Sequence, residues 1–269
     1  MADASKVVVI TGASGGIGAA LARHLGGQGH RVVLAARREA ELERVAGEVR
    51  DAGAAGVLAV PTDVTKRADV ERLRDRAIEA FGGVDVWVNN AGQGISRSVL
   101  ELTDDDVDRM MEVNVKSALY GMQAIVPHFV ERGAGQLVNV SSFLGRVPVA
   151  TIRSAYNAAK AALNALTANL RVDLAARHPG IHVTLVMPGI VTTEFAANAV
   201  GASPGGPPPP PHGAMQPQTP EEVAEIIAGV IANPVAEIYT NPAHPPIARR
   251  YFEDVGEFER QAAAQMRGR

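Results

Sequence analysis

The sequence predicts an α/β protein built on a parallel sheet with helices on both faces. Short β-branched runs, of which KVVVI at 6–10 is the first, are typical of strands buried on both faces. Stretches with apolar residues at helical spacing alternate with these runs. A chain of 269 residues is within reach of one α/β core, so we expect a single domain over 1–269.

The alternation can be followed in order along the chain. It predicts a mostly parallel sheet of about seven strands, at 6–10, 31–35, 56–60, 84–88, 135–140, 181–186 and 236–240. Between them it predicts helices at 17–28, 39–52, 66–81, 103–131 and 154–177. The last segment, 244–269, spaces Phe252, Val255 and Phe258 as a helical stripe, which predicts a helical tail.

One segment interrupts this alternation. Residues 201–220, GASPGGPPPPPHGAMQPQTP, are rich in proline and glycine and unsuited to a helix or central strand. The segment could be a polyproline ligand for another protein. We favour a substrate-covering loop over 194–220, with the proline run 204–211 inside it and Phe195 and Val200 as walls.

Composition excludes several classes of protein. The net charge of −3 gives no reason to expect a nucleic-acid partner, and the lack of cysteine excludes disulfides and thiolate zinc sites. No run of about 18 apolar residues predicts a membrane span, so a cytoplasmic protein is the default expectation. Asp104, Asp105 and Asp106 follow Thr103, which predicts a capped helix start rather than a metal site. We therefore expect no metal.

A glycine-rich loop, TGASGGIG at 11–18, directly follows the first strand. Gly12, Gly16 and Gly18 remove the Cβ atoms that would hold the backbone away from a diphosphate. The helix behind them points its free N–H groups and positive dipole end at that diphosphate. The loop, with Ser14 and Ile17, is therefore a candidate cofactor site.

The end of the second strand indicates which nicotinamide cofactor binds. An acidic residue there would bind the adenosine ribose and favour NAD. The sequence has Ala36 followed by Arg37 and Arg38, whose guanidinium groups suit a 2′-phosphate. The alternative is that both arginines are solvated and balance the charges of Glu39 and Glu41. We expect NADP(H) to be preferred over NAD(H).

Six further motifs follow the glycine loop in order: TDV (62–64), NNAG (89–92), VNV (113–115), NVSS (139–142), YNAAK (156–160) and PGIVTT (188–193). With them, the chain resembles the short-chain dehydrogenase/reductase family from about residue 6 to 195. The resemblance implies a Rossmann-type doubly wound three-layer sandwich and hydride transfer between a nicotinamide and a ketone or secondary alcohol. It also implies a homodimer or homotetramer.

The resemblance assigns further cofactor residues. It implies that Asp63 and Val64 hold the adenine and that Asn90, Ala91 and Gly92 line the cofactor. Asp63 could instead be a turn residue, and Asn90 could merely end a strand. The residues matching the nicotinamide end and the diphosphate are Pro188, Gly189, Val191 and Thr193.

Tyr156 and Lys160 are four residues apart, which places them on one helix face. The resemblance implies that Tyr156 is the general acid/base and that Lys160 lowers its pKa and holds the nicotinamide ribose. A phenol has an ordinary pKa of about 10, so we predict a downward shift toward neutrality. The resemblance also implies that Ser142 binds the substrate oxygen and that Asn114 holds a water for proton transfer.

The gap between Ser142 and Tyr156 is one residue longer than is usual in the family. Ser141 is therefore a second candidate, although strand alternation would point it to the opposite face. The apolar residues Phe143, Leu144, Val147 and Val149 favour an apolar or cyclic ketone as substrate. A sugar epimerase or dehydratase on this fold, and a cofactor-sensing binding protein, are the alternative functions.

Overall fold

The described residues of the computed structural model, 5–202 and 216–267 with side chains as far as 264, contain a sheet of seven strands. The strand order is β3-β2-β1-β4-β5-β6-β7, and every neighbouring pair is parallel. The order reverses between β1 and β4, as in doubly wound Rossmann-type folds, which confirms the predicted fold class. The strands are β1 Val7–Thr11, β2 Arg31–Ala36, β3 Gly56–Pro61, β4 Val86–Asn89, β5 Gly135–Val140, β6 Ile181–Met187 and β7 Glu237–Tyr239.

Helices cover both faces of the sheet. They are α1 Gly16–Gly27, α2 Glu39–Asp51, α3 Arg67–Phe81, α4 Asp104–Met111, α5 Ser117–Arg132, α6 Ser154–Ala175, α7 Pro220–Ala232, α8 His244–Glu253 and α9 Val255–Arg267. Val8 and Ile10 of β1 pack in one core with α1, α2 and α7. Val7 and Val9 pack in a second core with α3, α5 and α6, as the two-residue period of a strand requires. Within 5–202 and 216–267, no helix has the length and apolar content needed to cross a membrane.

The predicted helix at 103–131 is not continuous. A π-helical turn, Glu112–Lys116, separates α4 from α5 and contains Asn114. Asparagine is a poor former of helix interiors, and π turns are frequent at functional sites. At the start of α4, Thr103 Oγ1 accepts the Asp106 N–H (3.2 Å) and Asp106 Oδ2 accepts the Thr103 N–H (3.0 Å), which confirms the predicted cap.

The carboxyl ends of β1, β4, β5 and β6 lie at one edge of the sheet. β1 leads into the glycine loop, β4 into 90–92, β5 into 141–145 and β6 into 188–193. Ligands bind at this edge in open α/β sheets, at the point where the strand order reverses. The fold therefore brings the predicted motifs together.

The predicted loop at 194–220 is described only at its two ends, because 203–215, including 204–211, lies outside the described residues. At one end, Ser96 N–H donates to Val200 O (2.7 Å) and Val200 N–H donates to Gly94 O (2.9 Å). At the other, Gln218 N–H donates to Ile190 O (2.9 Å). Both ends are thus fixed to segments beside the ligand edge.

The predicted helical tail consists of two helices, α8 and α9, separated at Asp254. Phe258 packs edge-on against Tyr251, with ring centroids 5.4 Å apart. Phe252 is 60% exposed, so the predicted stripe packs only in part. The rings of Phe252 and Phe258 both pack edge-on against Tyr251, at 5.2 and 5.4 Å.

Candidate active site

The glycine loop lies directly against the segment after β4. Gly12 has φ +68°, and a Cβ there would lie 2.9 Å from Ala91 Cα. A Cβ on Gly18 would lie 2.7 Å from Asn90 Nδ2. Asn90 Nδ2 donates to Thr11 O (2.9 Å), and the Ala91 N–H donates to Thr11 Oγ1 (3.1 Å). These positions accept only glycine because backbone and amide groups occupy the space of a side chain.

The segment after β6 closes on the same loop. A Cβ on Gly16 would lie 3.3 Å from Thr193 Cγ2. Val191 forms a bridge with Gln218, and Pro188 O accepts the Phe143 N–H at 2.8 Å. Ile17 is partly buried and packs against the core beneath the loop. The structure thus places the predicted diphosphate and nicotinamide segments side by side.

A cleft of about 330 Å³ adjoins the glycine loop, and Arg38 lines it. Arg38 Nη2 donates to Ser14 Oγ at 3.2 Å, and its Nη1 lies 3.9 Å from Glu194 Oε2. Arg37 is exposed to solvent. The strand ends at Ala36 and supplies no carboxylate. The positive charge nearest the loop is therefore that of Arg38.

Asp63 forms the turn that follows β3. Its Oδ1 accepts the Thr65 N–H (3.1 Å) and the Thr65 hydroxyl (2.8 Å). This is an Asx-type turn, the structural role considered for Asp63 from the sequence. Val64 beside it is partly buried against the second core.

Ser142, Tyr156 and Lys160 lie together and are each less than 8% exposed, at 6%, 7% and 3%. The Ser142 hydroxyl lies beside the Tyr156 phenol and lowers its pKa. Lys160 Nζ donates to Val140 O at 3.0 Å and lies 5.7 Å from the centroid of the Tyr156 ring. The predicted hydroxyl pair and cation therefore form one cluster.

Burial controls the protonation of this cluster. It raises the pKa of Tyr156 to about 12, against the lowering effects of the Ser142 hydroxyl and the Arg153 charge. It lowers the pKa of Lys160 to about 8. For Tyr156 the direction is opposite to the one that we predict from the sequence. The reason is that loss of hydration disfavours the phenolate, and the Lys160 ammonium is directed to the Val140 carbonyl.

Gly92 lies between Asn114 and Lys160. A Cβ on Gly92 would lie 2.9 Å from Asn114 Oδ1 and 3.6 Å from Lys160 Nζ. The Asn114 amide accepts the Gln93 N–H (3.2 Å) and donates to Gln93 O (3.0 Å). Gly92 thus joins Asn114 to Lys160, which in turn lies beside Tyr156. Water binding by Asn114 stays a prediction.

Ser141 and Ser142 face different neighbours. Ser141 Oγ donates to Asn164 Oδ1 at 2.5 Å, toward the body of α6. Ser142 Oγ accepts the Leu144 N–H at 3.1 Å and faces Tyr156. The alternating side-chain directions of β5 therefore continue beyond its last residue. Ser142, and not Ser141, is the serine beside the Tyr156 phenol.

Several residues of the site are missed by the sequence reasoning. Asn164 Nδ2 donates to Gly145 O (3.0 Å), so Asn164 holds the turn after Ser142 at both ends. Arg153 Nη1 donates to Ile95 O (2.8 Å) and Ser96 Oγ (3.1 Å). An asparagine inside a predicted helix is the one signal that could have identified Asn164. For Arg153 the sequence offers no such signal.

The apolar surroundings of Tyr156 differ from expectation only in part. Phe195 packs edge-on against its ring at 5.5 Å, and Leu144 joins the same cluster. Phe143 and Val147 are instead buried with Ala248 of α8. They form a small core with the tail and do not line an open pocket, because the tail covers them.

Comparison with known proteins agrees with this architecture. The family model described as short chain dehydrogenase matches residues 6–202. An uncharacterised oxidoreductase of Staphylococcus aureus strain MRSA252 is 38% identical over 192 residues, covering 71% of this chain and 80% of that protein.

Two solved structures are similar along most of the chain. One is a short-chain dehydrogenase/reductase from Burkholderia phymatum in complex with NAD, at TM-score 0.83 and 31% identity, covering 93% of this chain and 94% of that one. The other is an alcohol dehydrogenase from Thermococcus sibiricus complexed with 5-hydroxy-NADP, at TM-score 0.75 and 30% identity, covering 87% and 95%.

The fold and the site define a Rossmann-type oxidoreductase with a serine, tyrosine and lysine cluster at its ligand edge. The chain belongs to the short-chain dehydrogenase/reductase family.

Proposed function

We propose that the protein transfers a hydride between NADP(H) and a ketone or secondary alcohol, with Tyr156 as the general acid/base. The observation that carries this proposal is the buried cluster of Ser142, Tyr156 and Lys160, with Asn114 and Lys160 meeting at Gly92. A hydroxyl that donates a proton, a second hydroxyl that binds oxygen and a cation are the groups that carbonyl reduction requires.

The residues present fit a nicotinamide dinucleotide. The side-chain space at Gly12 and Gly18 is filled by backbone and by Asn90, which leaves a smooth backbone cradle before α1. Arg38 beside Ser14 would bind the 2′-phosphate, and no carboxylate ends β2 to bind a free ribose hydroxyl. These features support NADP(H) over NAD(H).

In this mechanism the bound cofactor supplies the hydride to the carbonyl carbon. The Tyr156 hydroxyl donates its proton to the carbonyl oxygen, and the raised pKa keeps that proton on the phenol at pH 7. The Ser142 hydroxyl donates a hydrogen bond to the same oxygen and stabilises its developing charge. Lys160 would hold the nicotinamide ribose and favour the phenolate once the proton has left.

The surroundings of Tyr156 favour an apolar substrate. Phe195 and Leu144 flank the phenol, so a hydrocarbon group would replace water there. We also propose a homodimer or homotetramer, as is common in the family. Light scattering tests this assembly, and a monomer would contradict it.

The function is tested by NADPH oxidation with a ketone panel that includes cyclohexanone and acetophenone. We expect turnover that Tyr156→Phe lowers by about 1,000-fold or more, since the proton donor is lost. NADPH binding with no turnover on any ketone would favour a cofactor sensor. Conversion of a nucleotide sugar without net NADPH consumption would favour an epimerase.

Cofactor preference is tested with Arg38→Ala and the matched control Arg37→Ala. Loss of a charge-assisted hydrogen bond costs about 1.5–3 kcal/mol, so we expect the KM for NADPH to rise about 10- to 100-fold in Arg38→Ala. The KM for NADH should stay close to the wild-type value. An unchanged NADPH preference in both variants would refute the assignment.

A further inference from the structure

The ring of His244, the first residue of α8, packs against two segments of the candidate active site. It is 1% exposed and stacks on Phe143, with ring centroids 4.0 Å apart and 15° between the planes. The ring also touches Gly189, where a Cβ would overlap it and lie 2.9 Å from Nε2. The histidine occupies the space that a side chain at Gly189 would take.

Both neighbours of the ring belong to the proposed site. Phe143 directly follows Ser142, and Gly189 follows Pro188 in the segment predicted to meet the nicotinamide. The Phe143 N–H donates to Pro188 O at 2.8 Å, so the two segments are joined where the ring supports them. A shift of the ring would therefore move Ser142 and Gly189 together.

The position of the ring is itself fixed from the end of β7. The His244 N–H donates to Asn241 O (3.1 Å), and the Ala243 N–H donates to Asn241 Oδ1 (2.9 Å). Tyr239 of β7 packs edge-on against Phe143 at 6.2 Å. These contacts anchor α8 to the sheet at the edge where the site lies.

The ring acts as a neutral aromatic plate. Burial lowers the pKa of His244 to about 4, so the imidazole is uncharged at pH 7. Its Nδ1 is buried and has no hydrogen-bond partner among the described residues. A buried polar atom without a partner is unfavourable, whereas an apolar ring would pack at no such cost. Shape and stacking therefore account for the ring's contacts here.

We propose that His244 is a positioning residue, whose stacked ring holds the Ser142–Phe143 and Pro188–Gly189 segments at the spacing that hydride transfer requires. Through His244, the C-terminal tail of α8 and α9 helps to set the geometry of the active site. This inference rests on the proposed function only for its kinetic consequence, because the packing of the two segments is independent of catalysis.

The packing is tested first by hydrogen–deuterium exchange of the full chain without cofactor. In His244→Ala, we expect the amides of 141–147 and those of Met187, Gly189 and Ile190 to exchange about tenfold faster or more, because their support is removed. His244→Phe, which keeps an aromatic plate, should retain slow exchange. Phe252→Ala is the matched tail control, since Phe252 is 60% exposed and its ring contact is with Tyr251 of the same helix, so exchange in the two segments should stay within about twofold of wild type. Unchanged exchange in His244→Ala would overturn the proposal.

The kinetic consequence is tested by binding and turnover with two ligands. His244→Ala should weaken NADPH binding and lower kcat for cyclohexanone about 10- to 100-fold, since small misplacements of reacting groups have effects of this size. Binding of 2′,5′-ADP, which lacks the nicotinamide, should stay within about twofold, because a disturbance confined to the nicotinamide end leaves the adenosine site unperturbed. Equal losses for both ligands would show general unfolding and overturn the positioning role.

The two proposals fail in distinguishable ways. If the wild-type protein reduces no ketone, the proposed function fails, while the exchange experiment still decides the role of His244. If the wild type is active and His244→Ala has wild-type kcat, KM and exchange, only the positioning role fails. If His244→Phe loses as much as His244→Ala, the stacked aromatic plate is not what holds the segments.

Discussion

Ser141 and Ser142 are neighbours with opposite expected effects on stability and activity. Ser141→Ala removes the hydroxyl that donates to Asn164 and leaves Asn164 Oδ1 without its donor in a site where Asn164 is 8% exposed. A buried acceptor left in this way costs about 1–3 kcal/mol of folding free energy. For a chain of this size, that corresponds to a fall in Tm of about 2–10 °C.

Ser142→Ala should have a small effect on stability and a large effect on activity. The loss of the bond from the Leu144 N–H, which caps a single short turn, costs about 1 kcal/mol or less of folding free energy. Removing a donor to the developing oxyanion should instead lower kcat by about 100- to 1,000-fold. Ser141→Ala should keep at least about tenfold more activity than Ser142→Ala, since it does not touch the substrate oxygen.

Urea unfolding and NADPH oxidation of both variants measure the two effects. The pair Ser141→Ala and Asn164→Leu, with the double variant, adds a check on the contact. The double variant should cost about 0.5–3 kcal/mol less than the sum of the single ones, because the second change removes a group that has already lost its partner. An inactive Ser141→Ala beside a fully active Ser142→Ala would refute the reasoning.

Lys160 and Gly92 each give a further prediction. Burial lowers its pKa from 10.5 to about 8, so the charged form is disfavoured in the folded state by roughly 3 kcal/mol, and the bond to Val140 O recovers only part. Lys160→Met should therefore raise the free energy of unfolding at pH 7 by about 1–2 kcal/mol while abolishing activity. This gain in stability should shrink as the pH rises from 8 to 10.5. Urea titrations at pH 7 and 10 measure the gain, and a variant less stable than the wild type at pH 7 would contradict the prediction. Gly92→Ala should lower kcat by about tenfold or more, because its Cβ would lie 2.9 Å from Asn114 Oδ1; wild-type kinetics would contradict this packing.

The layers of the fold could be predicted because each strand is a short, uniform apolar run. Val7 to Ile10 are all buried, and their alternate side chains enter the two cores on opposite faces of the sheet. Prediction of β7 was less accurate at its ends, where the strand spans only Glu237–Tyr239 at the sheet edge. The π turn at Asn114 could not be predicted, since the pattern of 103–131 is helical throughout.

The residues that form the candidate site could be predicted where the residue type has few other structural roles. Glycines at Gly12 and Gly18 are required by contacts at 2.9 Å or less, and the sequence shows them directly. The protonation of Tyr156 could not be predicted in the same way. Its pKa depends on burial by Phe195 and its neighbours, which are distant in sequence, and burial outweighs the nearby charge.

The segment between Ser142 and Tyr156 packs in part against the tail. Phe143 and Val147 of this longer segment are buried against Ala248 of α8, and His244 stacks on Phe143. The family model matches only as far as residue 202, so the residues that support Ser142 come partly from outside the matched region. The surroundings of the serine in this chain therefore depend on its own C-terminal helices. Its substrate preference has to be measured on the full chain, since these helices lie beyond the residues that the family model matches.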